Sequence, residues 1–329
     1  MLFEGNLTVN IIIGLAALFI LMGSAEIAVK KIIILLHHYG FSTTFGGLVI
    51  FSITTSFPEI FSHLAASFGI LSGSLKYEIA SSTVLGANIG SDVIQQTLVL
   101  GIIVLLMGGL TFKKDFLKIA YLPMIGTTLM TLILAWDGIL SRIDGLILFA
   151  TFILYMIFLY KRESHIKEKA MKSKDIHIVK DFTISLACII LILISAHFLL
   201  SATQQIVLIT GLGGSLIGVI SLGVVAASPE LFTAISGLRQ KATGISLGTL
   251  IGSNITNPLV GIGIGSLIST YWVPKPLVYW DLPMETITAA LLLLYLIKTK
   301  GKLGRGGAIY LMGLYFAYLA IRIFYFSVD

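Results

Sequence analysis

Thr54-Thr55-Ser56-Phe57-Pro58-Glu59-Ile60-Phe61 and Ala226-Ala227-Ser228-Pro229-Glu230-Leu231-Phe232 are the stretches whose reading decides the fold. Each sets a proline–glutamate pair inside a long apolar run, and each is followed by a Gly-x-x-x-Gly-Ser segment. The second glutamate comes 171 positions after the first. A carboxylate at the centre of a bilayer costs roughly 2.5–3.5 kcal/mol on insertion scales, so an acid placed there marks a functional site by default. Two of them in matching surroundings point to a cation site shared by two halves of one chain.

The rest of the sequence fits that frame. Of 329 residues 57% are hydrophobic and only 12% charged, against about 25% charged in an ordinary soluble domain. Apolar stretches of about 20 residues, long enough to span a bilayer, recur from end to end. They predict an all-α polytopic membrane protein with ten transmembrane helices near 9–29, 43–69, 79–107, 116–136, 143–160, 182–202, 213–238, 244–270, 277–297 and 306–326. Glu4 precedes the first run and no Lys or Arg does, so that run reads as a span rather than a cleaved signal. Cys188 is the single cysteine and excludes an internal disulfide. The net charge of +6 sits between spans, where it meets anionic membrane lipid; no nucleic-acid partner is implied. Oligomeric state is not readable.

Lys and Arg sort the loops. With the N-terminus outside, one side collects eighteen basic residues and the other four, namely Lys76, Arg142, Lys275 and Arg322. The positive-inside rule then places both termini outside the cytoplasm of a cell membrane. The hydrophilic stretch 161–181 divides the chain into two five-span repeats, 1–160 and 182–329, and reads as a solvated cytoplasmic connector. Five is odd, so the halves cross the membrane in opposite senses, as inverted repeats that build a site at the midplane from broken helices.

The repeat is legible in residues. Gly86-Ala87-Asn88-Ile89-Gly90-Ser91-Asp92-Val93-Ile94-Gln95 matches Gly248-Thr249-Leu250-Ile251-Gly252-Ser253-Asn254-Ile255-Thr256-Asn257. A proline inside a helix removes a backbone hydrogen bond, and within a membrane the freed carbonyl needs another partner. Breaks at Pro58 and Pro229 would expose carbonyls beside Glu59 and Glu230. Helical spacing adds Ser52, Ser56 and His63 to the face of Glu59, groups Asn88, Ser91 and Gln95, and groups Thr249, Ser253 and Asn257. The set is two carboxylates with hydroxyls, amides and carbonyls, all hard oxygens of the kind Ca²⁺ takes six to eight at a time. No Cys/His cluster supports a softer metal.

Plainer readings stand beside these. Gly-x-x-x-Gly-Ser by itself is a helix-packing signal. Glu26 and Lys30 make an interfacial i,i+4 pair, and His197 reads as a structural hydrogen-bonder. His63 is a proton-coupling group or a packing residue. Asp92 is an extra ligand, a proton site or a buried neutral acid.

At these residues the chain resembles the cation/calcium exchanger superfamily, and within it the prokaryotic sodium/calcium exchangers. Their repeats read roughly Gly-Thr-Ser-Leu-Pro-Glu and Gly-Asn-x-x-Gly-Ser-Asn-x-x-(Asn/Asp). The resemblance covers essentially the whole chain. It implies Ca²⁺ bound by Glu59 and Glu230 in competition with Na⁺, with Thr55, Ser56, Ser91, Gln95, Ser253 and Asn257 completing the sites. It also implies that spans one and six slide across the others, giving antiport by alternating access. The ions are transported substrates; no cofactor is implied. Ala226 and Ala227 stand where the family has Thr and Ser, so only their carbonyls could bind, and a sodium site is in question there. Gln95 replaces Asn, and Asn257 fills a position that is often Asp. Asp92 replaces Asn. A proton-coupled antiporter of the same superfamily is the alternative, and a cation channel using the same acids the rival. Ser56 and His63 offer no hydrolytic constellation, which argues against a membrane enzyme.

Overall fold

The structure, a computed structural model, describes residues 6–37, 46–163, 178–239 and 243–329. Most of the expected connector at 161–181 lies outside the described residues, as does Lys241. The side chains of Glu26 and Lys30 are likewise outside them.

The chain is helical almost throughout. In order come α1 (Leu7–His37), α2 (Gly46–Thr55), α3 (Phe57–Leu71), α4 (Tyr77–Met107), α5 (Lys114–Leu134) and α6 (Arg142–Glu163). Then follow α7 (Ile178–Thr210), α8 (214–226), α9 (Ser228–Arg239), α10 (Thr243–Ser269), α11 (Leu277–Lys298) and α12 (Arg305–Tyr325). Four two-residue strands, β1 (Leu110–Thr111), β2 (Ile139–Leu140), β3 (Tyr271–Trp272) and β4 (Lys302–Leu303), sit in the turns.

Among the described residues, eight helices are long and apolar enough to cross a membrane, with α8 and α9 counted as one; the bent pair α2–α3 makes nine. Of α1, where a tenth span is expected, Leu7–Leu21 is a shorter apolar helix. An apolar core fills the interior, and the outer surface is apolar too. Ile133, Ile143, Leu154, Leu291 and Phe316 face outward, while Glu59, Asp92, Glu230 and Glu285 are buried. Outward apolar faces of this extent suit hydrocarbon, and helices satisfy their own backbone there.

The prolines act differently from the sequence-based expectation of an interrupted helix interior. The chain leaves the helix at Ser56 (φ −77°, ψ 5°), and α3 restarts at Phe57 at 45° to α2. Pro58 therefore lies in the first turn of a new helix, where its missing N–H is harmless. Glu59 follows in the same turn, where the positive end of the helix dipole favours a carboxylate. The same geometry recurs at the second Pro-Glu pair: Ala227 (φ −71°, ψ −7°) separates α8 from α9, with Glu230 in the first turn.

Among the described residues, six π-helical turns, each a local widening by one residue, punctuate the long helices. Gly46–Phe51, Gln95–Val99 and Leu117–Tyr121 are matched by Gly218–Gly223, Asn257–Ile262 and Leu277–Asp281, starting 172, 162 and 160 positions later. The strands pair crosswise. Leu110 faces Leu303 in the β1–β4 pair, and Ile139 faces Trp272 in the β2–β3 pair.

The Gly-x-x-x-Gly segments pack backbone on backbone, again crosswise. A Cβ on Gly86 would lie 2.3 Å from the Ser215 carbonyl oxygen, and one on Gly90 2.8 Å from Val219 Cα. A Cβ on Gly248 would meet Gly47 Cα at 2.8 Å, and one on Gly252 the Ser52 Cβ at 2.7 Å. Thus α8 is seated on α4, and α2 on α10. The long helices α1 and α7 pack along each other.

One loop charge is not in a loop. Arg322 lies in α12, fully buried, with Nε donating to Asp281 Oδ2 at 2.9 Å. It also donates to the Ser215 hydroxyl. Tyr318 completes the cluster by donating to Asp281 Oδ1 at 2.5 Å. Its partner Asp281 is distant in sequence, so sorting by loop counted it as an exposed charge.

Candidate cation site

The helix starts of α3 and α9 bring Glu59 (3% exposed) and Glu230 (0%) together in the interior. Glu59 Oε1 accepts the Ser91 hydroxyl at 2.9 Å, and Oε2 has no hydrogen-bond partner. Neither oxygen of Glu230 has a donor in bonding geometry. The two hydroxyls beside Glu230 are those of Thr55 and Ser253, 3.4 Å apart. Each hydroxyl is engaged with a carbonyl one turn back, Thr55 with Phe51 at 2.8 Å and Ser253 with Thr249 at 2.9 Å. Each hydroxyl can turn between that carbonyl and Glu230, and its oxygen keeps a lone pair for a cation beside the carboxylate.

Other buried oxygens without a partner are Ser56 Oγ, in the break just before Glu59, Asn88 Oδ1, and Thr249 Oγ1 and Asn257 Oδ1 on α10. The orientation of Asn257 has a cause. Its Nδ2 donates to Asp92 Oδ1 at 2.7 Å, so its own oxygen is the free end. Asp92 thus acts on the site as an acceptor that turns Asn257 around. A cavity of about 30 Å³ adjoins Glu59, lined by Pro58, Asn88, Ala226 and Pro229 and closed by Leu18, Leu21 and Leu199 of α1 and α7. It has room for a single water-sized species.

The other expected residues are placed as follows. Ala227 is buried at the break before α9, its side chain contributing no oxygen. Gln95 accepts Asn254 Nδ2 at 3.0 Å on its oxygen and donates to Ser91 at 3.1 Å, so one lone pair remains to it. Ser52 is turned toward the Leu48 carbonyl (2.6 Å) and Thr256 (3.3 Å) rather than toward Glu59. His63 is fully engaged elsewhere. Its Nε2 accepts Asn88 Nδ2 at 3.2 Å, which leaves Nδ1 to donate to the Tyr271 hydroxyl at 3.2 Å. That hydroxyl donates in turn to the His63 carbonyl at 2.9 Å.

Sequence reasoning missed Glu285 and Gln96. Glu285 is an acid within an expected span, the same signal that marked Glu59. It was passed over because it has no mate: Leu122-Pro123-Met124-Ile125 aligns with Leu282-Pro283-Met284-Glu285 and puts an isoleucine opposite.

Comparison with known proteins agrees with this architecture. Residues 9–161 and 180–324 match the family described as "Sodium/calcium exchanger protein". The sodium/calcium exchanger MaX1 of Methanosarcina acetivorans is 27% identical over 97% of this chain and 99% of its own length. The inner membrane protein YrbG of Escherichia coli is 25% identical over 95% and 96%. A solved structure of the sodium-calcium exchanger NCX_Mj, soaked with 10 mM Na⁺ and zero Ca²⁺, has the same fold. It superposes with a TM-score of 0.65 at 23% identity, over 96% of this chain and 99% of that one. The chain is therefore an integral multi-pass membrane protein and belongs to the sodium/calcium exchanger protein family.

Proposed function

We propose that this chain exchanges Ca²⁺ for Na⁺ across the membrane, with the transported ion held between Glu59 and Glu230. The observation that carries the reading is the set of unpartnered carboxylate oxygens, Glu59 Oε2 and both oxygens of Glu230, in a buried site. Ser56, Thr55, Ser253 and Asn257 supply further oxygens, with the carbonyls of Ala226 and Ala227 at the second break, the latter through the lone pair left by the Leu231 N–H that donates to it at 3.1 Å. An all-oxygen set with two carboxylates matches a hard divalent ion in charge and ligand type. Ser91 and Gln95 hold Glu59 from behind.

The cycle follows from electrostatics. With the site empty, two carboxylates face each other in a low dielectric, and reorientation is costly. Ca²⁺ or several monovalent ions relieve that repulsion, so the loaded forms cross and the empty one does not. Leu18 and Leu21 of α1 and Leu199 of α7 line the cavity beside the site, so a slide of that pair changes which side the site meets. With an inward sodium gradient the direction is calcium extrusion.

The same reading includes ten spans in two inverted five-span repeats, 1–160 and 182–329, joined by a cytoplasmic connector at 161–181. The matched π turns, the crosswise strands and the crosswise glycine packing support it, since each maps onto its partner when the halves are exchanged. Both termini then lie outside the cytoplasm, with the glutamates at the midplane.

Proton coupling is the second reading, favoured by the two alanines at the second break, which remove hydroxyls from the monovalent-ion shell. Purified protein in sealed vesicles separates the readings. 45Ca²⁺ uptake driven by an outward Na⁺ gradient supports sodium exchange, and uptake driven only by an outward H⁺ gradient supports the proton form. Uptake without either gradient belongs to a channel.

A further inference from the structure

Glu285, on α11, is joined to Glu59 by an unbroken series of side-chain hydrogen bonds. Gln96 Nε2 donates to Glu285 Oε1 at 3.3 Å and to Asn254 Oδ1 at 2.7 Å. Asn254 Nδ2 donates to Gln95 Oε1 at 3.0 Å, Gln95 Nε2 to Ser91 Oγ at 3.1 Å, and Ser91 Oγ to Glu59 Oε1 at 2.9 Å. Every member is buried, and the links cross from α11 to α4, to α10, back to α4 and on to α3. We infer that Glu285 is a positioning residue for the cation site, acting through Gln96, Asn254 and Gln95 to set which way Ser91 points.

A backbone carbonyl and an ionised carboxylate accept and do not donate, so they set the sense of the amides that bind them. An amide can turn over and exchange its oxygen for its nitrogen, so a series of three amides has two senses. The Leu250 carbonyl accepts Asn254 Nδ2 at 2.8 Å, which puts the Asn254 oxygen toward Gln96. Glu285 accepts from Gln96, and so holds its nitrogen toward that same oxygen. With both ends fixed, Gln95 must offer its oxygen to Asn254 and its nitrogen to Ser91. One lone pair of Ser91 thereby accepts Gln95, and its hydrogen goes to Glu59 Oε1, leaving Oε2 for a ligand. Reversing the series would turn a lone pair of Ser91 on the carboxylate.

Gln96 Oε1 is itself without a partner. An amide that sacrifices its oxygen while its nitrogen makes two bonds is held by those two bonds. The first half has Ile125 at the equivalent position, so Glu230 has no such support. The two glutamates are consequently unequal: one is oriented by a remote acid and one is not.

The inference concerns the site named under the proposed function, and its test has an arm that does not depend on transport. Glu285→Met and Gln96→Met each delete the first link at nearly constant volume; Glu285→Gln keeps a carbonyl able to accept it. In a structure of Glu285→Met, Gln96 is expected to turn and Asn254, still tied to the Leu250 carbonyl, to lose its Gln96 donor, so that Gln95 shifts and Ser91 leaves Glu59. An unchanged Gln95–Ser91–Glu59 geometry overturns the inference, whatever ion is carried. Should Glu285→Met not fold, the structure of Gln96→Met decides in the same way. In vesicles, either Met variant is expected to raise the half-saturating Ca²⁺ about fivefold, as for loss of one orienting hydrogen bond. The double variant is expected to be no worse than either single, and Glu285→Gln to stay within about twofold of wild type. Multiplying losses, or a Glu285→Gln variant as poor as Glu285→Met, overturns it. A wild-type protein that carries no Ca²⁺ counts against the proposed function alone.

Discussion

Ser91 donates to one oxygen of Glu59 at 2.9 Å and leaves the other without a partner. Glu230, its counterpart across the site, receives no such bond on either oxygen. The serine thus fixes the rotation of the Glu59 carboxylate about its own axis, and Glu230 has no hydroxyl so held to it.

Replacing either acid by its amide removes the charge at constant shape. Glu59→Gln and Glu230→Gln are each expected to lower 45Ca²⁺ exchange at least about 100-fold, the equivalent of roughly 3 kcal/mol. Size-exclusion profiles should remain those of folded protein. Ser91→Ala, which removes only the orienting bond, should cost about tenfold or less in half-saturating Ca²⁺. Wild-type flux in either amide variant would refute the assignment.

Ala227→Ser restores a hydroxyl at the second helix break. It is expected to change the sodium dependence of exchange more than the calcium dependence, read as the shift in half-saturating Na⁺ against that in half-saturating Ca²⁺. A hydroxyl that moves neither is not a ligand.

His63 has both ring nitrogens occupied, accepting from Asn88 and donating to Tyr271. A neutral ring held in this way is a structural group. His63→Ala is expected to lower the melting temperature while leaving the pH profile of exchange where it was. A displaced profile would return the histidine to the transport cycle.

Arg322 and Asp281 are both fully buried. Removing one partner strands the other charge, and Arg322→Met or Asp281→Leu should destabilise the protein by about 3–5 kcal/mol. The double variant Arg322→Met with Asp281→Leu should recover part of that loss. Thermal unfolding in detergent reads all three.

Glycines divide by what lies against them. Gly86→Ala would drive a methyl onto the Ser215 carbonyl and should cost about 1–3 kcal/mol. Gly126→Ala and Gly313→Ala, with nothing within 4 Å, should be neutral or stabilising by up to about 1 kcal/mol. Melting temperatures of the three variants check the ordering.

Much of this was readable from residues because it follows from local chemistry. An apolar run ends where hydrocarbon ends, so expected spans such as 116–136 and 277–297 fall within a few residues of Lys114–Leu134 and Leu277–Lys298. The Pro-Glu pairs marked helix breaks, although the sequence alone suggested a damaged helix where the chain begins a new one. Relationships between distant elements were not readable. The Arg322–Asp281 pair needs α11 and α12 side by side, and the series from Glu285 needs four helices in register. No spacing rule within one helix encodes either, and the asymmetry at Glu285 and Ile125 hid the acid from a search for repeats.

The crosswise seating of α8 on α4 and of α2 on α10 bears on how the protein is assembled. Each half carries a glycine-floored trough that only the other half fills, so neither is a finished object alone. Severing the chain between residues 163 and 178 and producing the pieces together would leave every trough with its occupant. A lone piece would instead present bare backbone and stranded carboxylates to lipid, and would be degraded or would pair with a second copy of itself.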